Sequence, residues 1–335
     1  MERIGFSTGY YPDIGLREMT QWMKAADERG YEAAFFVETI ETMRDSVSAL
    51  AVFAASTTRV RLGCTQIVRL RSPVIMAQTL ATLDELSEGR MFLAPGACTP
   101  SHAARYGLAP ADPVISLKES VTAMREILTG EEVTCSGETV KLDRAGLAFK
   151  PYRTEIPMWI AATSRTGLHI AGEIGDGVLL NSNTSHEYSR NAVRIVGESC
   201  EKAGRDFENF EIAQIIVTSI DDDRDKAIEA VRFEVANKFD RIQLPFNAGP
   251  RMRVGEPYIK KEDLPKFAEA EEKGGKEGLM KAMPVSYIQG LTASGTPQEV
   301  LDKVEKYKEA GVKLPIIRPA HPHQVQRTLD LFAPK

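Results

Sequence analysis

Two hydroxyl residues, Thr163 and Ser164, stand at a place in this sequence that could bind an anion such as phosphate. They follow a short apolar segment, 158–161, and precede a segment whose apolar residues have helical spacing between positions 168 and 174. This pattern places both residues at a helix N-terminus, where free backbone N–H groups and the helix dipole favour a phosphate. The same hydroxyls are also ordinary helix caps, so the residues alone leave capping and phosphate binding open.

Other residues that could do chemistry are isolated in the sequence. Glu38 follows the apolar segment 33–37, and it is either a solvated loop carboxylate or a group that lines a site at a strand end. The four cysteines are far apart and form no CxxC pair, so we expect reduced thiols rather than a zinc ribbon or a disulfide framework.

These residues are positioned by alternating strands and helices, which predict a parallel sheet with right-handed crossovers. The predicted strands are 3–8, 33–37, 60–66, 91–94, 158–161, 178–180, 210–220 and 314–318. The predicted helices are 16–29, 46–56, 73–86, 114–129, a short one after residue 166, 186–203, 223–237, 296–310 and 324–331. Eight strands with about as many helices favour a single (β/α)8 TIM barrel over a doubly wound sheet.

Two segments interrupt the alternation. Residues 132–142 alternate like a small surface hairpin. Residues 244–291 are rich in Pro, Gly and charge, with an amphipathic helix at about 260–281, and they predict an insertion before the last strand that closes over the barrel mouth or makes a subunit contact. We therefore expect one domain over residues 1–335 with an insertion at about 244–291.

Composition favours a small-molecule partner. The chain has 335 residues, of which 43% are hydrophobic and 27% charged, and its formal net charge is −5 without a basic face, so no nucleic-acid partner is expected. The sequence shows neither the pattern of a signal peptide nor an apolar run of about 18 residues that would span a membrane. We expect a cytoplasmic protein with no membrane partner.

Three motifs resemble one family. They are TLATLDELSEGRMFLAPG at 79–96, IAATSRTGLHIAGEIGDGVLLNS at 160–182 and SGTPQEVLDKVEKYKEAGV at 294–312. They are similar to the bacterial luciferase-like superfamily of oxidoreductases, and most similar to its branch that uses the deazaflavin coenzyme F420, which includes methylenetetrahydromethanopterin reductase. The resemblance covers most of the chain and is weakest in the 244–291 segment.

The resemblance implies a cofactor site at three places on the barrel. The cofactor phosphate would be held by the turn after the fifth strand and by the start of the sixth strand. The third strand would end in a bulge with a cis non-proline peptide that backs the redox ring. The loop after the fourth strand would lie beside this ring. The residues that match these places are Ala162, Thr163, Ser164, Arg165, Gly177 and Val178 for the phosphate, Cys64, Thr65 and Gln66 for the bulge, and Gly96, Ala97 and Cys98 for the loop.

The chain departs from the family pattern at two strand ends. Glu38 stands where relatives place an acidic residue or its neighbour, and it is the candidate catalytic residue, but Thr39 stands where many relatives have histidine. Gly9 replaces the acid that the reductases carry after the first strand, which weakens the reductase assignment because a proton relay needs a titratable group.

A pair of histidines, His321 and His323, follows the last strand. No carboxylate or third ligand is near them in sequence, so we expect no metal. One of them instead caps the last helix or contacts an anionic cofactor tail.

The resemblance therefore implies an F420-dependent oxidoreductase that transfers a hydride between the deazaflavin and a small organic substrate. An FMN-dependent monooxygenase and a non-catalytic flavin-binding barrel are the alternatives. A homodimer or higher homo-oligomer is expected from the family.

Overall fold

The computed structural model describes residues 3–334, apart from the side chain of Phe246, and shows a closed barrel of eight parallel strands. Each strand is short and buried, as expected where helices cover the sheet from outside. The barrel strands are β1 (Gly5–Ser7), β2 (Ala33–Phe36), β3 (Arg61–Ile67), β4 (Met91–Gly96), β7 (Trp159–Ala162), β8 (Gly177–Leu180), β9 (Glu211–Ile220) and β11 (Leu314–Pro319). The TIM-barrel prediction is confirmed.

Pairing of β8 with β9 closes the ring. Gly177 pairs with both Trp159 and Glu211, and a Cβ at position 177 would lie 2.7 Å from atoms of each, so only glycine permits this approach. Around the barrel the strands follow the order β1, β2, β3, β4, β7, β8, β9, β11. All their carboxyl ends therefore meet at one rim.

Helices cover the outside of the barrel, and most begin at the N-terminal signals of the sequence. The helices between barrel strands are α1 (Leu16–Glu28), α2 (Ser46–Ser56), α3 (Pro73–Leu86), α4 (Pro100–Arg105), α5 (Pro113–Leu128), α6 (Arg165–Ile174), α7 (His186–Lys202), α8 (Arg224–Ala236) and α12 (Pro297–Glu309), and a 3-10 turn (Pro322–Gln324) leads into α13 (Val325–Leu331). Thr296 and Glu299 form a capping box at α12. The predicted bounds of α2 and α3 agree with the structure at both ends.

Aromatic side chains fill the barrel interior. The ring of Phe92 stacks on Trp159 with centroids 4.0 Å apart and on Phe35 at 5.8 Å. Gly63 makes room for this stack, since a Cβ there would lie 2.1 Å from the Phe92 ring. The centre of the barrel is therefore a packed core rather than a channel.

Charged residues close the amino end of the barrel. Arg3 Nη2 lies 2.6 Å from Glu32 Oε1 and 2.8 Å from Glu211 Oε2, and Arg61 Nη1 lies 3.3 Å from Glu32 Oε1. The Arg61 guanidinium also lies 5.1 Å from the Trp159 ring centroid. Among the described residues, the filled interior and this network of ion pairs leave the carboxyl rim as the end at which a ligand can approach the strand ends.

Several elements lie outside the alternating pattern. The predicted hairpin is present as β5 (Val133–Ser136) and β6 (Lys141–Ala145), which pair antiparallel. The 244–291 segment forms α9 (Leu244–Val254), α10 (Leu264–Ala282) and α11 (Val285–Leu291), which pack against α8 through a separate apolar cluster. A short strand that we had not predicted, β10 (Ala293–Gly295), pairs with the far end of β9.

Two expectations for loops are corrected. The segment after β4 was expected to be irregular, but α4 forms there because Thr99 caps it and Pro100 occupies its first turn. The strand β10 was missed because three residues are too few to show a periodic pattern. None of the helices within residues 3–334 has the length and apolar character needed to cross a membrane.

The inner aromatic stack gives a prediction about stability. Replacing Phe92 with Ala should lower the free energy of unfolding by about 3–5 kcal/mol, since a fully buried ring is removed from a packed core. Urea unfolding measures the change. Phe149→Ala, at a residue that is 37% exposed, is the control and should change stability by less than about 0.5 kcal/mol. Equal effects of the two substitutions would contradict this description of the core.

Candidate active site

Small residues form a shallow floor at the carboxyl rim. Gly96 at the end of β4 pairs with Ile67 of β3 on one side and with Ala161 of β7 on the other. Gly96, Ala97 and Ala161 are all half-buried, and a Cβ at position 96 would have no atom closer than 3.7 Å. An added Cβ at Gly96 would therefore meet only ordinary van der Waals contacts at these strand ends.

The turn between β7 and α6 lies beside this floor. Ser164 is the N-cap of α6, and its Oγ accepts a hydrogen bond of 3.1 Å from the Gly167 N–H. The N–H groups of Arg165 and Thr166 lie in the first turn of the helix and have no intrahelical acceptor. Capping and anion binding are therefore compatible, because the cap uses one N–H group and leaves two for a ligand.

A buried tyrosine supports this turn from behind. The Tyr188 hydroxyl donates a 2.7 Å hydrogen bond to the carbonyl oxygen of Thr163. Burial raises the pKa of Tyr188, so the hydroxyl keeps the proton that it donates. Thr163 is therefore fixed through its backbone, and its half-buried side chain is not needed for the support.

A fully buried arginine from α9 supports the neighbouring loop after β8. Arg251 donates from Nη1 to the Asn183 carbonyl oxygen at 2.7 Å and from Nη2 to the Ser182 carbonyl oxygen at 3.1 Å. Glu256 Oε2 accepts from the Ser185 N–H at 2.8 Å, and burial raises the pKa of this carboxyl group. The insertion therefore holds part of the rim in place.

The prediction of a cis peptide at the end of β3 is wrong, since no peptide bond within residues 3–334 is cis. The strand pairs with β4 in unbroken register from Leu62 to Ile67. Thr65 pairs with Ala94, whose side chain belongs to the inner cluster, and Thr65 Oγ1 accepts a 2.8 Å hydrogen bond from the Glu38 N–H. A regular ladder leaves no extra residue for a bulge.

The residues on either side of Thr65 face away from the rim. Cys64 and Gln66 are buried and line a small gap behind the sheet, against α2 and α3. Burial raises the pKa of the Cys64 thiol, which disfavours the reactive thiolate. Of the three residues predicted at this strand end, only Thr65 faces the barrel interior.

Two predicted phosphate contacts are corrected. Gly177 and Val178 begin β8, where they pair with Trp159 and Ile160 at the start of β7. The strand runs from there to Leu180 before it reaches the rim, so these two residues lie toward the opposite end of the barrel from Ser164. Because they lie away from the turn, we exclude both from the candidate site.

Glu38 is held in a network of hydrogen bonds beside α2. Its Oε2 accepts from Arg71 Nη1 and from Ser46 Oγ, each at 2.6 Å, while Arg71 Nη2 reaches Asp45 Oδ1 at 2.7 Å. Its Oε1 is buried and has no donor among the described residues. Arg71 and Ser46 therefore fix the orientation of the Glu38 carboxylate through Oε2.

The loops after β4, β1 and β11 complete the rim. Cys98 is buried, and burial raises the pKa of its thiol. A Cβ at Gly9 would lie 2.4 Å from the Tyr11 ring, so the acid of the reductases could not occupy this position unless Tyr11 moved.

Neither histidine caps the last helix, because Gln324 precedes α13 and His321 Nε2 lies 2.6 Å from the Ala230 carbonyl oxygen. Within residues 3–334 no group of three or more potential metal ligands converges.

Several residues that support the rim were missed from the sequence. Arg251 and Glu256 lie in the irregular 244–291 segment, and Tyr188 lies inside a predicted helix, so no local pattern marks them. Arg318 is different, since an arginine at the end of an otherwise apolar strand is a detectable signal. The turn before α6 thus presents free backbone N–H groups at the carboxyl rim, and such groups can donate hydrogen bonds to an anion.

Comparisons with known proteins agree with this geometry. A model of the luciferase-like monooxygenase family matches residues 3–314, and the chain belongs to this family. It is 29% identical over 311 residues to the 5,10-methylenetetrahydromethanopterin reductase of Archaeoglobus fulgidus, covering 92% of this chain and 91% of that protein. It is 26% identical over 334 residues to the F420-dependent glucose-6-phosphate dehydrogenase of Nakamurella multipartita, covering 95% and 91%.

A solved structure shows the same fold. The coenzyme F420-dependent tetrahydromethanopterin reductase of Methanopyrus kandleri superimposes with a TM-score of 0.85 at 24% identity, covering 99% of this chain and 97% of that one. The chain is therefore an oxidoreductase of the luciferase-like type, as the sequence motifs predicted.

The network around Glu38 gives a second prediction. Replacing Arg71 with Met leaves a buried carboxylate without its cation and should lower the free energy of unfolding by about 3–5 kcal/mol. Arg144→Met, which removes an exposed ion pair with Glu132, is the control and should cost no more than about 1 kcal/mol. Urea unfolding of both variants at neutral pH measures the difference. A cost for Arg71→Met as small as that of the control would show that Glu38 does not depend on this cation.

Proposed function

We propose that this chain is an F420-dependent oxidoreductase that transfers a hydride between the deazaflavin and a small organic molecule. The observation that carries the proposal is the first turn of α6, whose free N–H groups lie beside the small residues Gly96 and Ala161 at the carboxyl rim. Two similar proteins support the choice of cofactor. The glucose-6-phosphate dehydrogenase of Nakamurella multipartita is named as F420-dependent, and the reductase structure of Methanopyrus kandleri is described as coenzyme F420-dependent.

The residues of the rim fit the parts of this cofactor. The N–H groups of Arg165 and Thr166 would hold the phosphate, with the cap at Ser164 and the backbone of Thr163 keeping the turn rigid. The small residues Gly96 and Ala161 would lie under the ring. When bound, F420 supplies the hydride donor or acceptor at C5 of its deazaflavin ring.

The chain itself contributes positioning and exclusion of water. The hydrogen bond from the Glu38 N–H group to Thr65 Oγ1 joins the ends of β2 and β3. The ion pair with Arg71 orients the carboxylate of Glu38. Glu38 is the candidate catalytic residue of this proposal. Its Oε1 has no donor among the described residues and is buried, so it would accept a hydrogen bond from a substrate hydroxyl only after the rim opens beside it. The packed aromatic core below the floor keeps water from the ring.

An FMN-dependent monooxygenase is the second candidate, because the family whose model matches this chain is described by that reaction class. FMN also carries a phosphate and a flat ring, so the α6 turn serves both cofactors equally. Cofactor choice therefore has to be measured.

A direct titration tests the proposal. The purified protein should quench or shift the fluorescence of F420 with a micromolar dissociation constant and bind FMN more weakly. Micromolar binding of FMN without binding of F420 would favour the monooxygenase. Failure to bind either cofactor would support a non-catalytic barrel.

A substitution that adds a negative charge at the α6 turn tests the proposed phosphate site. Ser164→Asp keeps a good N-cap but repels a phosphate, so F420 affinity should fall about tenfold or more with little loss of stability. Ser72→Asp, at the N-cap of α3, adds the same charge to another cap and should leave the affinity within about twofold. Unchanged F420 affinity in Ser164→Asp, measured by the same titration, would place the phosphate elsewhere.

A further inference from the structure

A buried arginine lies at the rim on the side of the barrel away from α6. Arg318 follows Leu314 and Ile316 on the inner face of β11, and its side chain is 1% exposed. Its guanidinium makes two hydrogen bonds with the carboxylate of Glu234 on α8. Its Nε is buried without an acceptor among the described residues. Burying a charge of this kind lowers the stability of the fold unless an opposite charge pairs with it.

An aromatic ring joins this ion pair to the loop after β1. The Arg318 Cζ atom lies 4.9 Å from the centroid of the Tyr10 ring. The next residue, Tyr11, donates its hydroxyl to the Pro319 carbonyl oxygen at 2.5 Å, which fixes the loop against the end of β11. Tyr10 is therefore held in place at the mouth and is half-buried there.

A second cation approaches the same ring. Lys238, just after α8, has its Nζ 5.5 Å from the Tyr10 centroid. No carboxylate within residues 3–334 lies within 4.0 Å of this Nζ atom, and Lys238 is only half-buried. Two cations thus share one ring while one carboxylate, Glu234, neutralises only Arg318. A net positive charge is left where the environment is partly desolvated, and an anion binding there would be attracted more strongly than in water.

This positive site is separate from the α6 turn. In the barrel order, β7 is the fourth strand from β1 in either direction, so the turn after β7 faces the Tyr10 loop across the mouth. A cofactor anchored by its phosphate at α6 would place its ring between the two sites. The Tyr10 loop and the α6 turn therefore lie on opposite sides of the barrel order.

We propose that Lys238, held over Tyr10 beside the Arg318–Glu234 pair, binds an anionic group of the organic substrate, a carboxylate or a phosphate. This inference rests on the proposed function, since it assigns the substrate class for the same mouth. Lys238 is the contacting residue. Arg318 is a positioning residue, because its charge is already neutralised by Glu234 and it acts by orienting Tyr10.

The test uses the full chain and calorimetric titration with succinate as the dicarboxylate probe and succinamide as its neutral analogue. The protein is first saturated with F420 so that the α6 turn is filled. Wild type should bind succinate and not succinamide. Lys238→Gln should weaken succinate binding about tenfold or more, and Lys238→Arg should restore most of it.

The matched control is Lys276→Gln. Lys276 has the same geometry over another ring, with its Nζ 5.5 Å from the Phe233 centroid, but it lies on the outer helices. This variant should bind succinate like wild type. The assignment is overturned if wild type does not bind succinate, or if wild type and Lys238→Gln bind it with equal affinity.

Two outcomes separate this inference from the proposed function. If F420 does not bind, the titration is repeated on Ser164→Asp without cofactor, where the α6 turn repels anions. If adding Lys238→Gln to the Ser164→Asp variant then abolishes succinate binding, the anion site is supported although the cofactor proposal has failed. If F420 binds but succinate affinity does not depend on Lys238, only the anion site is rejected.

Discussion

Closure of the barrel is the constraint on which the rest of this structure depends. The pairing of β8 with β9 requires a glycine at position 177, because Trp159 and Glu211 approach its Cα from both neighbouring strands. Once the ring is closed, aromatic side chains fill its centre and the Arg3 and Glu32 ion pair covers the amino end. Binding chemistry is thereby restricted to the carboxyl rim, where the strand ends meet.

The rim is held by residues that are distant in sequence. Tyr188 supports the turn before α6, Arg251 supports the loop after β8, and Arg318 joins β11 to α8. Each of these side chains is buried and uses hydrogen bonds to carbonyl or carboxylate groups, which compensates the cost of removing it from water. The insertion thus serves as a support of the mouth, since Arg251 comes from its first helix.

Much of the fold could be predicted from local patterns. The start of α3 follows from Pro73 in its first turn, and the strands are readable because parallel strands buried on both faces are apolar runs. The three-residue strand β10 could not be predicted, because its pairing with the extended end of β9 is a tertiary contact. Gly177 and Val178 were assigned to the phosphate through the family resemblance, but the start of β8 pairs with the start of β7 and so lies away from the rim.

The candidate site was predictable only where a local signal exists. Ser164 was found because a hydroxyl between a strand and a helix is a recognisable cap. The direction in which Cys64 and Gln66 point depends on the register of β3, and the partners of Glu38 come from α2 and from the loop before α3. Such features follow from packing of the whole barrel and leave no mark in a short stretch of sequence.

The most direct test of the central claim is a crystal structure of the protein with F420 bound. The account predicts the phosphate within hydrogen-bond distance of the N–H groups of Arg165 and Thr166, and the deazaflavin ring over Gly96 and Ala161. A phosphate bound away from α6, or a ring outside the rim, would contradict it.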